Sequence, residues 1–340
     1  MTPLDSPAEA RRRAPRNRTL GLDADEARRL RARLVPATAL RRPPGTAAAP
    51  PLDLVVHGDC REVLPALPPA FCDLLILDPP YNTGRSSPRR EALRSGVAGE
   101  RFARLSACAY ADGLGAVLDA ALPALRPTAS VYVCGDWRSG AAIQDACANR
   151  LIVRNRITWE RDKGRGARRN WKNGCEDIWF CTVSDRYLFD LDAVKLRRRV
   201  RAPYRGADGA PKDWREHAGG RFRDTHPSNL WTDVTVPFWS MPENTDHPTQ
   251  KPEKLFAKLM LASTAPGDVV LDPFLGSGTS AVVASKLGRR FLGIEADEGF
   301  ALLALLRLER AAHDPAIQGY ADGVFWERNS RPPTGGLGAP

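Results

Sequence analysis

Residues 269–279 read VVLDPFLGSGT, and this stretch decides the fold. A short aliphatic run ends in Asp272, two glycines follow at Gly276 and Gly278, and a helical pattern runs from Thr279 to Leu287. A strand passing into a helix through a glycine turn is the repeating unit of an α/β protein, and glycine there lets the backbone approach a ligand closely. Working outward, Phe291 to Ile294 reads as strand and Asp297 to Arg310 as helix. Upstream, Lys254 to Ser263 reads as helix. Strands are expected at Leu52 to His57, Asp73 to Leu77, Ala129 to Cys134 and Ile152 to Glu160. Helices are expected at Cys60 to Leu67, Tyr110 to Leu125 and Gly140 to Asn149. Short apolar strands separated by helices predict a mostly parallel sheet covered on both faces. Residues 161–250 break this rhythm; they are basic, aromatic and irregular, and read as an insertion or second lobe.

The chain has 340 residues, enough for one large domain or two smaller ones, with 43% hydrophobic and 26% charged residues. No apolar run is long enough to span a membrane and no signal-type apolar stretch opens the chain, so a soluble, cytoplasmic protein is expected. Seven cysteines without a C-x-x-C pair argue against a disulfide framework and a zinc finger, and no metal is expected. The net charge of +10 is concentrated in two places. Residues 1–50 hold 11 arginines against 5 acids, and residues 160–225 hold 17 Lys/Arg against 11 acids. Such segments attract a polyanion, although an Arg-rich composition alone gives the same total. Residues 1–50 read as a mobile Arg/Pro-rich extension with one helical piece, Asp23 to Leu34, and residues 331–340 as a loose tail.

Two motifs carry chemistry. Around Gly276 and Gly278 the full dinucleotide spacing is missing, and so is the lysine of a phosphate loop. A nucleoside without phosphates therefore fits better, with Glu295, at the end of the next strand, accepting from ribose hydroxyls. The second motif is Asp78-Pro79-Pro80-Tyr81, at the end of the strand Asp73 to Leu77. The lone pair of an exocyclic amino group is delocalised into its ring. Acceptors at Asp78 and at the Pro79 carbonyl would favour a tetrahedral nitrogen with a usable lone pair. Pro79 and Pro80 stiffen the turn, and Tyr81 offers a flat face to an extruded base. Taken singly, each motif is equally an ordinary strand-ending turn.

In their order, the blocks Gly58-Asp59, Asp78 to Tyr81, His247 to Pro252 (HPTQKP), Asp272 to Gly278 and Gly293 to Glu295 resemble the S-adenosylmethionine-dependent DNA amino-methyltransferases of bacteria. The similarity is to the permuted group in which DPPY precedes FxGxG, and it covers residues 52–310. It implies a Rossmann-like, circularly permuted methyltransferase sheet with an inserted basic target-recognition lobe. It also implies S-adenosylmethionine as cofactor and double-stranded DNA as partner, and it admits a homodimer. The expected division is a catalytic half at 51–160, a recognition region at 161–246 and a cofactor half at 247–330. By the same resemblance, Asp272, Phe274, Gly276 and Gly278 line the cofactor site and Glu295 holds the ribose. Asp59 lies near the adenine, and Thr249, Gln250 and Lys251 cover the methionine carboxylate. Asp78 and Tyr81 are the catalytic pair, flanked by Pro79 and Pro80.

Within the insertion, Lys163, Arg165, Arg168, Arg169 and Lys172, and then Arg197, Arg198 and Arg199, are the candidates for phosphate contacts, against the alternative of a solvated charged face. Asn170, Asn173 and Glu176-Asp177 are unassigned candidates for the wall of a base pocket. No Pro-Cys pair occurs, which argues against methylation at a cytosine ring carbon. The resemblance further implies, from Asp at position 78, N6 of adenine as the target, with N4 of cytosine as the alternative. A protein-glutamine or RNA methyltransferase is disfavoured because the glycines follow the DPPY turn across a basic lobe, and a non-catalytic DNA-binding protein because the motif residues are intact.

Overall fold

The computed structural model describes residues 15–40, 50–81, 106–161, 169–201, 203–217, 220–328 and 330. Its strands in chain order are β1 (Val35–Pro36), β2 (Leu54–His57), β3 (Cys72–Leu77), β4 (Leu125–Gly135), β5 (Ile152–Glu160), β6 (Cys175–Thr182), β7 (Leu196–Arg199), β8 (Arg215–His217), β9 (Gly220–Thr225), β10 (Leu230–Trp231), β11 (Val269–Asp272), β12 (Arg290–Glu295), β13 (Tyr320–Ala321) and β14 (Val324–Trp326). The helices are α1 (Ala24–Arg31), α2 (Cys60–Val63), α3 (Ala107–Ala121), α4 (Gly140–Ala148), α5 (Glu253–Ser263), α6 (Thr279–Lys286) and α7 (Glu298–Ala311). Among the described residues no helix is long and apolar enough to cross a membrane.

Nine strands form one sheet in the order β1-β2-β12-β11-β3-β4-β6-β5-β10. From β1 to β4 all neighbours are parallel, and β6 alone runs against both of its neighbours. The pleat sends alternate residues to opposite faces. Leu74 and Ile76 join the core under α5, α6 and α7, whereas Leu75 and Leu77 join the core under α2, α3 and α4. Both faces are thus buried, which explains why β3 is apolar without a break from Leu74 to Leu77.

The direction of winding changes between β11 and β3. From β11 the chain passes through α6, on one face, to β12; from β3 it passes through α3, on the other face, to β4. In open α/β sheets a crevice opens at the carboxyl ends of the strands where the winding reverses. Asp78 follows β3 directly and the glycine turn follows β11, with Leu75 paired to Leu271. Two motifs nearly two hundred residues apart therefore face one crevice.

Three expectations about organisation need correction. Within 161–246, β6 and β10 are members of the main sheet. The second sheet, β13-β14-β7-β9-β8, draws two of its strands from 320–326, a stretch expected in the cofactor half. The described part of the N-terminal extension, expected to be mobile, is docked. Leu30 of α1 is fully buried, Arg29 and Arg31 pair with Glu309 and Glu298 of α7, and β1 extends the sheet edge beside β2. The helix docks because Leu30 buries apolar area while its arginines meet acids on α7. The remainder of the extension, residues 1–14 and 41–49, and the tail lie outside the described residues.

Candidate active site

The glycine turn is held from behind. Asp272 accepts from the Phe274 N–H at 2.9 Å and from the Ser280 hydroxyl. Arg307 of α7, buried, donates to the Ser277 carbonyl and to the Thr279 hydroxyl, both at 2.9 Å, and pairs with Glu253 at 3.0 Å. Gly276 and Gly278 have φ of +56° and +83°, where side-chain-bearing residues are strained. A Cβ on Gly278 would lie 2.6 Å from the Ala304 Cβ, so this glycine is required by the packing of the turn on α7. A Cβ on Gly276 would lie 3.1 Å from the His247 ring. That ring packs edge-on against Phe300 at 4.4 Å, and burial holds His247 neutral, at about 3.

Glu295 ends β12 half-buried, accepting from the Gly276 N–H at 2.7 Å and the Asp297 N–H at 2.8 Å. Burial pushes its carboxyl up to about 7, against those two donors, and burial does the same to Asp272, also to about 7. The Gly58 N–H donates to the Glu295 carbonyl, which brings Asp59 to the same strand end, although its carboxylate there caps α2 and pairs with Arg61. The donor set fits S-adenosylmethionine. Glu295 retains carboxylate lone pairs suited to a ribose diol, and the buried cations of the turn, Arg307 and Lys251, are committed to protein partners rather than to a phosphate.

The HPTQKP segment is tied to the protein on both sides. Thr249 is exposed, with its N–H on His247 Nδ1 at 3.4 Å. Gln250 is an internal brace, accepting from Thr245 and donating to the Glu243 carbonyl. Lys251 turns to the catalytic turn. Its ammonium, almost wholly buried, contacts both Asp78 carboxylate oxygens at 2.8 and 2.7 Å, and its carbonyl accepts from Thr279. The reason is electrostatic: a buried Asp78 needs a cation, and the segment entering α5 supplies one. Burial works against the charge of Lys251, but Asp78 and Glu176 outweigh it and hold the ammonium above its ordinary range.

Around Asp78 the sheet assembles a closed polar group. Pro79 is buried, and Pro80 and Tyr81 are half-buried. The Tyr81 hydroxyl lies 3.1 Å from Asp78 Oδ1 and 3.1 Å from Glu176 Oε2. Lys251 Nζ stands 4.9 Å from the centre of the Tyr81 ring and so occupies one of its faces. Glu176 also pairs with Arg161 at 2.6 Å and lies 3.5 Å from Lys251. Burial raises the Asp78 carboxyl, with Lys251 opposing, and raises the Tyr81 phenol well above its usual range, with Asp78 and Glu176 adding to it. Glu176 arrives here because β6 runs antiparallel: its first residues lie where the parallel strands end. The signal for it was present in sequence, an acid among the apolar residues of CEDIWFCT, but its role was not legible there. Arg307 left no signal, being one of two arginines on α7 with nothing beside it in sequence to mark it.

Of the expected DNA contacts, Lys163, Arg165 and Arg168 lie outside the described residues. Arg169 and Lys172 are exposed beside Trp171, which is 93% exposed. Arg197 pairs with Asp224 at 2.7 and 2.8 Å and stacks over Trp326. Arg198 and Arg199 instead line a cleft of about 430 Å³ with Arg201, Tyr204, Arg223 and Glu327.

A DNA methylase family model for N6 and N4 methyltransferases matches residues 72–305. The chain is 30% identical over 263 residues to the DNA adenine methyltransferase YhdJ of Escherichia coli (strain K12), covering 76% of this chain and 83% of that one. It is 27% identical over 269 residues to the type II methyltransferase M.BglII of Bacillus subtilis, covering 74% and 68%. In fold it is similar to the PvuII DNA methyltransferase (cytosine-N4-specific), with a TM-score of 0.53 and 16% identity over 78% of this chain and 92% of that one.

Proposed function

The chain belongs to the DNA methylase family of N6 and N4 amino-methyltransferases, which use S-adenosylmethionine, and from that membership we propose that it methylates N6 of adenine at a specific site in double-stranded DNA. The observation that carries the reading is the meeting of Asp78 and the glycine turn in one crevice at the reversal point of the sheet. S-adenosylmethionine supplies an electrophilic methyl group on a sulfonium. On this reading Asp272, Phe274, Gly276 and Gly278 shape the turn that receives it, and Glu295 takes the ribose hydroxyls. Asp78 accepts a hydrogen from the target amino group, which draws the nitrogen toward a tetrahedral shape. The carboxylate can do so while bound to Lys251, because each oxygen carries two lone pairs. Lys251 opposes the rise that burial imposes on the Asp78 carboxyl and so favours its charged form.

Adenine is supported by the aspartate at position 78 and by the named activity of the Escherichia coli relative. The two basic faces around Arg169, Lys172 and Trp171, and around Arg198 and Arg199, would hold the duplex, placing the enzyme on nucleoid DNA in the cytoplasm.

The test is single-molecule sequencing of DNA from a host expressing the wild-type chain, alongside Asp78→Asn. N6-methyladenine in one short sequence context is expected from the wild type. The Asn variant should lose about 10²–10³ of the methylation rate while still binding S-adenosylhomocysteine. N4-methylcytosine would overturn the choice of base, and an Asp78→Asn rate near wild type would overturn the role given to Asp78.

A further inference from the structure

Methylation of an amino group leaves one proton to be disposed of. The nitrogen forms a bond to carbon as the carbon–sulfur bond breaks, with the electron pair leaving on sulfur, and the nitrogen must then shed one of its hydrogens. The crevice is nearly closed around Asp78, whose side chain is 17% exposed. The structure shows a second carboxylate in line with the first. One phenol oxygen, that of Tyr81, stands 3.1 Å from Asp78 Oδ1 and 3.1 Å from Glu176 Oε2. A hydroxyl has one hydrogen to donate and lone pairs to accept, so it satisfies two carboxylates together when one of them carries a proton. Glu176 is 9% exposed, and Arg161 binds its other oxygen at 2.6 Å, so Oε2 is the oxygen turned to Tyr81. Arg161 is 31% exposed and connects the group to solvent.

We propose that Glu176 takes, through the Tyr81 hydroxyl, the proton that the target nitrogen loses on methylation. This rests on the reading of the site as an amino-methyltransferase. The nitrogen gives its proton to Asp78. Asp78 passes it to the Tyr81 oxygen as Tyr81 gives its own hydroxyl proton to Glu176. Asp78 ends ionised, Tyr81 neutral and Glu176 protonated. The buried charge balances: the sulfonium loses its positive charge as one carboxylate loses its negative charge. Lys251, spanning both carboxylates, lets the two stand on one phenol before the reaction begins. Glu176 touches neither base nor cofactor in this scheme and is a positioning residue acting through Tyr81. The groups that face it are Tyr81 and Asp78 from the catalytic turn, Lys251 from the segment entering α5, Arg161 from the end of β5 and Cys134 of β4, a thiol that burial raises well above its usual range.

The experiment compares wild type, Glu176→Gln and Tyr81→Phe in single turnover on duplex DNA across pH 5.5–9. S-adenosylhomocysteine affinity is read by calorimetry, and base extrusion by fluorescence of 2-aminopurine at the target. Gln keeps an oxygen for the Tyr81 hydroxyl but cannot take a proton; Phe keeps the ring and removes the link. Each variant should slow methylation about 10²-fold at pH 7 with cofactor affinity and extrusion within about twofold. Each should also change the shape of the wild-type pH profile, and the double variant should be no slower than either single one. Glu176→Gln within threefold of wild type with the same profile overturns the proposal. If that variant does not fold, Tyr81→Phe decides, and an unchanged rate and profile there overturns it equally. Failure of the underlying reading is distinct, because it appears in the wild type: no methyl on an amino nitrogen of DNA removes both.

Discussion

Glu295 shows how one carboxylate is shaped for two states. Its two backbone donors favour the charged form, yet burial dominates and lifts the group to about 7 from an ordinary 4.5. A carboxylate raised on folding binds its proton more tightly in the native than in the unfolded chain. Its contribution to stability is therefore fully present below about pH 4.5 and is lost as pH rises through about 7. Glu295→Gln removes that titration. Thermal melts of the two proteins between pH 4.5 and 7.5 should show the Tm of wild type falling relative to the Gln variant as pH rises. A constant difference across the window would mean that Glu295 is not raised. Lys251 carries the opposite lesson, since its ammonium stays charged because two acids surround it, and it ties the catalytic turn to the glycine turn through Asp78 and Thr279.

Elements position these residues through their direction and their packing. The reversed β6 delivers Glu176 to the edge where β3 and β4 end; run parallel, the same strand would place it at the far side of the sheet. The turn before α6 is set by its fit against α7, because a Cβ at Gly278 would meet both the Cβ and the Cα of Ala304 within 3 Å. Gly278 thus acts first on the fold, ahead of any part it has in admitting the ligand. Gly278→Ala should destabilise the protein by about 1–3 kcal/mol in urea unfolding, through the strained φ and the displaced helix. Adding Ala304→Gly should recover part of the loss. Unchanged stability with lost S-adenosylhomocysteine binding would return the glycine to a purely ligand-facing role. The α1 helix supports the same region from outside, since Arg29 and Arg31 clamp it to α7.

The molecule as a whole joins a methyltransferase sheet to a small basic sheet. Lys254 and Lys258 of α5 reach Asp233, and Lys254 also reaches the Trp326 carbonyl of β14, so the second sheet is fastened to the first by buried charge. On that second sheet the arginines divide by what they contact. Arg197 is bound to Asp224 and Trp326, whereas Arg198, Arg199 and Arg201 line the open cleft. Replacing Arg198, Arg199 and Arg201 with Gln should weaken duplex binding and lower the log–log salt slope by about 0.9 for each phosphate no longer neutralised. Arg197→Gln should leave the slope unchanged and lower thermal stability instead. An equal effect of both sets on the slope would mean that the pairing of Arg197 with Asp224 does not keep it from DNA. Weakening confined to the specific duplex would assign the cleft to base reading.

Local pattern sufficed for the alternation of strands and helices, for the glycine turn and for the catalytic turn, because apolar periodicity, glycine freedom and proline stiffness act over a few neighbouring residues. The order of motif blocks was likewise legible along the chain. Partners distant in sequence were not. That Lys251 would neutralise Asp78, that Glu176 would share the Tyr81 hydroxyl, that Arg307 would hold the glycine turn and that Arg197 would be spent on Asp224 were all decided when the chain closed. Burial strips water from a charge, so the charge takes whichever opposite group the topology brings within about 3 Å. Strand order and direction select that group, and neither is written in the residues beside it.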